Sequence, residues 1–140
     1  AIWVPGGDQR LLPERLGRDW WRREVLPHLR VYGGTSAGTM AACDPMIAGP
    51  GDSPDTVELL PGLGMTRFLV DTHYRERKRQ ARLADGVART GRPGIGLSEK
   101  AWIVLDGDRI VARHGNVDLI RPATRSRAAR PARASAARKS

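Results

Sequence analysis

The chain has 140 residues, 28% of them charged and 5% aromatic, a formal net charge of +9 and one cysteine. That length allows one domain at most. The lone Cys43 excludes a disulfide framework and a cysteine-based zinc site. No apolar run approaches the length of a membrane span and no signal peptide is visible, so a cytoplasmic protein is the default expectation.

Ala1 to Val4 reads as a short apolar strand, followed by a Pro5-Gly6-Gly7-Asp8 loop. Arg10 to Leu29 is broadly helical in composition, with Pro13 near its start and Trp20, Trp21 and Val25 on or near an apolar face. Arg30-Val31-Tyr32 reads as the end of a strand, and Ala37 to Cys43 as the start of a buried helix. Pro45 to Pro54 is rich in Gly and Pro and is expected to be a loop. Thr56–Leu60 and Met65–Val70 are strand-like around Pro61-Gly62-Leu63-Gly64. Arg75 to Thr90 is helical in composition, with Leu83 and Val87 four apart. Gly94-Ile95-Gly96-Leu97 leads into Ser98-Glu99, and Ala101–Leu105 with Arg109–Ala112 forms a hairpin across Asp106-Gly107-Asp108. Alternating strands and helices with a terminal hairpin predict an α/β fold with a mostly parallel sheet and flanking helices.

The charge is uneven. Residues 121–140 carry seven basic residues and no acid, whereas the preceding 120 hold seventeen basic against fifteen acidic. The high pI therefore belongs to the C-terminal segment. Residues 1–120 are expected to form the folded domain and 121–140 a disordered basic tail. Such a tail binds nucleic acid or anionic surfaces only weakly, through counterion release. It lacks the interleaved aromatics of a base-stacking platform, so neither nucleic acid nor membrane is the expected partner.

Gly34-Thr35-Ser36-Ala37-Gly38 fits the Gly-x-Ser-x-Gly nucleophile elbow, a strand-to-helix turn that exposes a strained serine. The following helix would aim peptide N–H groups at a reacting oxygen. A serine hydroxyl needs a base, and the base an orienting carboxylate. Of three histidines, His28 sits late in a helix and His114 follows the terminal hairpin. His73 stands where a strand gives way to an arginine-rich segment, and strand ends carry catalytic groups in open α/β sheets. Arg75, Arg77, Lys78, Arg79 and Arg82 follow within eight positions. They are either a solvated basic face or a clamp for substrate carboxylates.

Four blocks in this order resemble the cyanophycinase and aspartyl-dipeptidase family of serine peptidases: Gly6-Gly7-Asp8-Gln9, the Ser36 elbow, Asp71-Thr72-His73-Tyr74 with Arg77, Arg79, Arg82 and Leu83, and Gly94-Ile95-Gly96-Leu97-Ser98-Glu99. The resemblance implies a class I glutamine amidotransferase-like fold and a Ser36–His73–Glu99 triad. It implies an oxyanion hole from the N–H groups of Ala37 and Gly7. Gln9, Asp71, Arg77, Arg79 and Arg82 would bind an aspartyl or β-aspartyl peptide, with no cofactor or metal. A homodimer is compatible with this reading. Thr72 stands where cyanophycinases usually carry Gln. Family members begin well upstream of the first block, so an N-terminally incomplete domain is expected. Two other readings compete: an α/β-hydrolase esterase using Ser36, Asp106 or Asp108, and His114; and an inactive fragment or binding protein acting through its basic tail.

Overall fold

A computed structural model describes residues 1–123, so the segment beyond them, most of the expected tail, lies outside the described residues. Strand β1 (Ile2–Val4) leads to α1 (Leu12–Leu16) and α2 (Arg18–Trp20). A π-helical turn over Trp21–Val25 and a 3-10 turn over Leu26–His28 follow. The single helix expected over 10–29 is thus broken. Gly17 takes φ 73° and its N–H meets the Glu14 carbonyl at 3.0 Å, which ends α1. Strand β2 (Tyr32–Gly34) pairs in parallel with β1, placing Val4 opposite Gly34.

Helix α3 (Ala37–Ala41) follows the elbow, then β3 (Met46–Pro50) and β4 (Val57–Leu60) pair antiparallel, with a register shift between Ile47 and Gly49. The expected loop over 45–54 is therefore half strand. Its Gly and Pro residues mask the apolar run Met46-Ile47-Ala48, all buried.

Strand β5 (Leu69–Thr72) starts later than the sequence suggests, and helix α4 (Gln80–Thr90) starts five residues after Arg75. Turns fill the gap, and Lys78 takes φ 50° just before the helix. Strand β6 (Gly94–Leu97) pairs in parallel with β5. The hairpin of β7 (Trp102–Asp106) and β8 (Arg109–His114) follows, then β9 (Val117–Ile120), antiparallel to β6. The described residues thus form a mixed α/β structure in four small sheets. Two of the five strand pairings are parallel, fewer than the expected mostly parallel sheet requires. Among the described residues no helix is long and apolar enough to cross a membrane.

The β5–β6 pair divides the core. Val70, Ile95 and Leu97 pack with Trp21, Met46 and Leu63 on one side. Leu69 packs with Leu83, Val87, Ile47, Val57 and Tyr74 on the other. This follows from the period of two along a strand. The Gly-Ile-Gly-Leu run of β6 alternates for the same reason. A Cβ on Gly94 would meet Val87 Cγ2 at 2.7 Å, and one on Gly96 the Tyr74 ring at 2.5 Å. The two glycines therefore let α4 and Tyr74 lie directly on the strand. Each large apolar side chain buried here contributes about 1.5–3 kcal/mol.

This packing sets an expected contrast between two alanine substitutions. Gly96→Ala must displace the buried Tyr74 ring and should cost about 1–3 kcal/mol in denaturant unfolding. Gly91→Ala has open space around it but keeps φ 67°, so it should cost about 1 kcal/mol. A Gly96→Ala protein as stable as the parent would show that Tyr74 does not pack there.

Candidate active site

The elbow is a closure problem solved by glycine. A Cβ on Gly34 would fall 2.6 Å from the Gly38 carbonyl carbon, and one on Gly38 would fall 2.1 Å from the Val4 carbonyl oxygen. Neither position has room for a side chain, so β2 and α3 can fold sharply against β1. The turn is then pinned at several points. The Thr35 N–H donates to Val4 O at 3.0 Å, the Thr39 hydroxyl to Gly34 O at 2.7 Å and the Tyr32 hydroxyl to Gly38 O. Ser36 is held at φ 51°, ψ −111°, outside the regions open to a serine without strain. Such a conformation costs of order 1–3 kcal/mol and persists because its surroundings enforce it.

His73 lies just past the end of β5, also at positive φ (50°). Its Nε2 is 3.0 Å from Ser36 Oγ, and its Nδ1 is 3.3 Å from Glu99 Oε1. The parallel register explains the meeting. Thr72 stands opposite Leu97, so the residues after both strands emerge at one end. The Tyr74 N–H donating to Leu97 O at 3.1 Å keeps the two exits together. The His73 side chain is 28% exposed and that of Glu99 is 59% exposed, so the carboxylate side of the array faces water. Glu76 is a contributor that the sequence reading passes over. Its carboxylate accepts the Glu99 N–H at 3.1 Å and so fixes the turn carrying Glu99. An acid inside an arginine-rich run carries no spacing signal that would single it out.

The other histidines are elsewhere. His28 is exposed in the 3-10 turn. His114 stacks on Trp102, with ring centroids 5.7 Å apart and planes 19° apart. Asp106 pairs with Arg109 and Asp108 with Arg67. The esterase arrangement of Ser36 with His114 is therefore not the one formed, because the Ser36 hydroxyl faces His73.

The arginine cluster divides into three. Asp71 is fully buried and shares the Leu69 face of β5, toward α4. Arg82, itself buried, holds it at two points, Nε to Oδ2 at 2.8 Å and Nη2 to Oδ1 at 2.5 Å. Arg79 Nη1 bridges Asp71 Oδ1 at 3.0 Å and the Thr72 carbonyl at 2.7 Å, and burial pulls its guanidinium below the ordinary arginine value. Sequence reasoning expects Asp71, Arg79 and Arg82 at a substrate, whereas here Asp71 and Arg82 are buried and paired bidentately with each other, and the partly exposed Arg79 commits its Nη1 to Asp71 and the Thr72 carbonyl. Arg75 makes a bidentate pair with Asp118 on β9, at 2.8 and 2.9 Å, and holds that carboxyl below its usual range. Arg77 is exposed and forms no ion pair among the described residues.

The loop after β1 completes the surroundings. An ideal Cβ on Gly6 would lie 3.5 Å from Ser36 Cβ, so this loop borders the serine. Gly7 is exposed and Ala37 fully buried. The Gln9 amide donates to Ala48 O on β3, which leaves its carbonyl oxygen outside that bond. Cys43 is buried, and burial pushes its thiol up to about 12, which removes it as a nucleophile at neutral pH. Chemically, an imidazole whose Nδ1 side is held by a carboxylate can accept a proton at Nε2 from a serine hydroxyl.

Residues 1–113 match the sequence family described as peptidase family S51. The cyanophycinase of Synechococcus elongatus is 33% identical over 135 residues, covering 87% of this chain and 42% of that protein. The cyanophycinase of Trichormus variabilis is 32% identical over 134 residues, covering 87% and 45%. Peptidase E of Streptomyces coelicolor is 30% identical over 125 residues, covering 79% and 51%. The chain thus spans about half the length, or less, of these curated relatives.

Two outcomes follow from the buried groups. Asp71→Ala leaves the Arg82 charge without its partner and should cost about 3–5 kcal/mol in unfolding. Pairing it with Arg82→Met should return much of that loss, and strict additivity of the two changes would contradict the ion pair. Cys43 should resist thiol reagents in the native protein and react promptly once the chain is unfolded.

Proposed function

The chain belongs to peptidase family S51, and from that premise we propose that it is a serine-type peptidase acting on aspartyl or β-aspartyl peptides. Ser36 is the nucleophile. His73 takes its proton at Nε2 and returns it to the leaving amine. Glu99 holds the Nδ1 side of the ring, and Glu76 holds Glu99. The observation that carries this reading is the 3.0 Å separation of Ser36 Oγ and His73 Nε2 across a strained elbow. That distance suits proton transfer in the attack itself.

The steps balance within the chain's own groups. Attack of Ser36 Oγ on the scissile carbonyl forms a C–O bond and moves one proton to His73. The N–H groups of Ala37 and Gly7 take the developing oxyanion. Collapse expels the amine, which leaves with the proton from His73. Water then repeats the sequence on the acyl-enzyme, with His73 again as base, and frees Ser36.

The substrate class rests on charge. With Arg79 and Arg82 holding Asp71, Arg77 is the arginine of this segment left to meet an aspartyl carboxylate, and the Gln9 carbonyl oxygen is left to accept an N–H of the peptide. The resemblance to the cyanophycinase and aspartyl-dipeptidase family implies the same class, cyanophycin-derived β-Asp-Arg included, and relatives named cyanophycinase and peptidase E are in keeping with it. We assign β1–β2 and β5–β6 to neighbouring parts of the class I glutamine amidotransferase-like sheet that the resemblance implies.

Steady-state kinetics on a β-Asp-Arg dipeptide and its Asn and Ala analogues test the proposal. Ser36→Ala and His73→Ala should each lower kcat by roughly 10⁴-fold or more, with little further loss in the double variant. Glu99→Gln should cost less than either, because its carboxylate is half exposed, and His114→Ala should leave turnover intact. Arg77→Ala should raise KM for the aspartyl peptide about ten- to hundredfold and leave the Ala analogue unaffected. Equal cleavage of the Ala and Asp peptides would reject the substrate class, and full activity without His73 would reject the mechanism.

A further inference from the structure

The turn from His73 to Arg79 carries strain at two non-glycine residues, since His73 and Lys78 both take φ 50°. Such backbone persists only where the surroundings enforce it. Within the turn the Arg77 N–H donates to the His73 carbonyl at 3.0 Å, the Lys78 N–H to the Arg75 carbonyl at 3.2 Å and the Arg79 N–H to the Tyr74 carbonyl at 2.9 Å. These bonds close the turn on itself, and its side chains tie it to the sheet. They reach out to successive strands. Arg79 holds the end of β5, Tyr74 lies on Gly96 of β6, and Arg75 crosses to Asp118 of β9.

The strand register explains how Arg75 finds its partner. Asp118 stands opposite Gly96. Opposed residues share a face of the sheet, so the Asp118 carboxylate rises beside the Tyr74 ring that covers Gly96. Burial, and then the Asp118 charge, raise the Tyr74 phenol above its ordinary value, as that adjacency requires. Arg75 Nε and Nη2 meet the two carboxylate oxygens at 2.8 and 2.9 Å, so the whole fork is used. The next residue, Glu76, accepts the Glu99 N–H at 3.1 Å, and Glu99 Oε1 is 3.3 Å from His73 Nδ1. The Arg75 and Asp118 side chains are 50% and 32% exposed, and ion pairs at the surface add little to stability. A bidentate fork does fix direction, and this one fixes the residue next to Glu76.

We infer that Arg75 and Asp118 are positioning residues for the reaction: their fork sets the turn on edge strand β9 so that Glu76 meets the Glu99 N–H and His73 stays in line with Ser36. The inference rests on the serine-peptidase reading and adds to it a carboxylate from a strand beyond the β5–β6 pair.

The test uses the full chain carrying Asp118→Asn, Arg75→Gln or both. Arg109→Gln, which removes another exposed ion pair, is the control. Two rates are read: kcat on the β-Asp-Arg dipeptide, and the rate at which a serine-directed fluorophosphonate labels Ser36. Each single variant should lower both rates roughly tenfold, since a displacement of about 1 Å can cost up to about a hundredfold. KM should stay within about twofold of the parent value, because the loss falls on the chemical step. The denaturant midpoint should barely move. The double variant should be no slower than the slower single one, because the two side chains act as a unit. Arg109→Gln should match the parent in both rates. Labelling needs no substrate, so it decides the point even if the dipeptide is not cleaved. Parent-like rates in both single variants, additive losses in the double variant, or losses matched by a fall in the folded fraction overturn the positioning role alone. A folded parent that neither cleaves the dipeptide nor takes the label overturns the serine-peptidase reading with it.

Discussion

One buried carboxylate organises this molecule. Asp71 is removed from water on the α4 side of β5, and two guanidinium groups hold it. An unpaired charge there would be costly, so β5 and the start of α4 must come together with Arg79 and Arg82 in place. The same contact reaches the end of the strand that leads to His73. Arg79 also grips the Thr72 carbonyl, one residue before His73. The backbone that carries the histidine at positive φ is thus anchored from beneath by a charge network. The parallel partner β6 anchors it from the side through the Tyr74 N–H and Leu97 carbonyl.

The serine is positioned by a different device, the absence of side chains. Gly34 and Gly38 allow β2 to turn into α3 so tightly that the Val4 carbonyl occupies the space of a Cβ. Ser36 is strained as a consequence, and hydrogen bonds from Thr35, Thr39 and Tyr32 hold the strain in place. Two rigid supports, one electrostatic and one steric, converge on a 3.0 Å contact between elements 37 residues apart in sequence. Preorganisation of this kind costs stability locally and is sustained by packing on both sides of the β5–β6 pair.

Much of the site was legible in the sequence because it depends on local chemistry. The small residues around Ser36 announce a tight turn, and the strand-end position of His73 separates it from His28 and His114. The alternation of glycine with Ile95 and Leu97 becomes a two-faced strand through pairing with β5 and β9, which only the structure supplies. What was not legible depends on long-range partners. Arg77, Arg79 and Arg82 look alike in sequence, and only the placement of Asp71 beneath α4 distinguishes buried anchors from an exposed side chain. Strand β3 hid behind its Gly and Pro neighbours because its pairing with β4 overrides local propensity. The break at Gly17 was hidden for the opposite reason. Its left-handed conformation is a local event inside a segment whose overall composition favours helix.

The central claim is that His73 activates Ser36. Reaction of the native chain with a serine-directed fluorophosphonate, followed by peptide mass spectrometry, tests it without reference to any substrate. The account predicts a single phosphonyl adduct on Ser36, formed in the parent protein and absent from folded His73→Ala. An unmodified Ser36 in the folded parent, or equal labelling with and without His73, would contradict it.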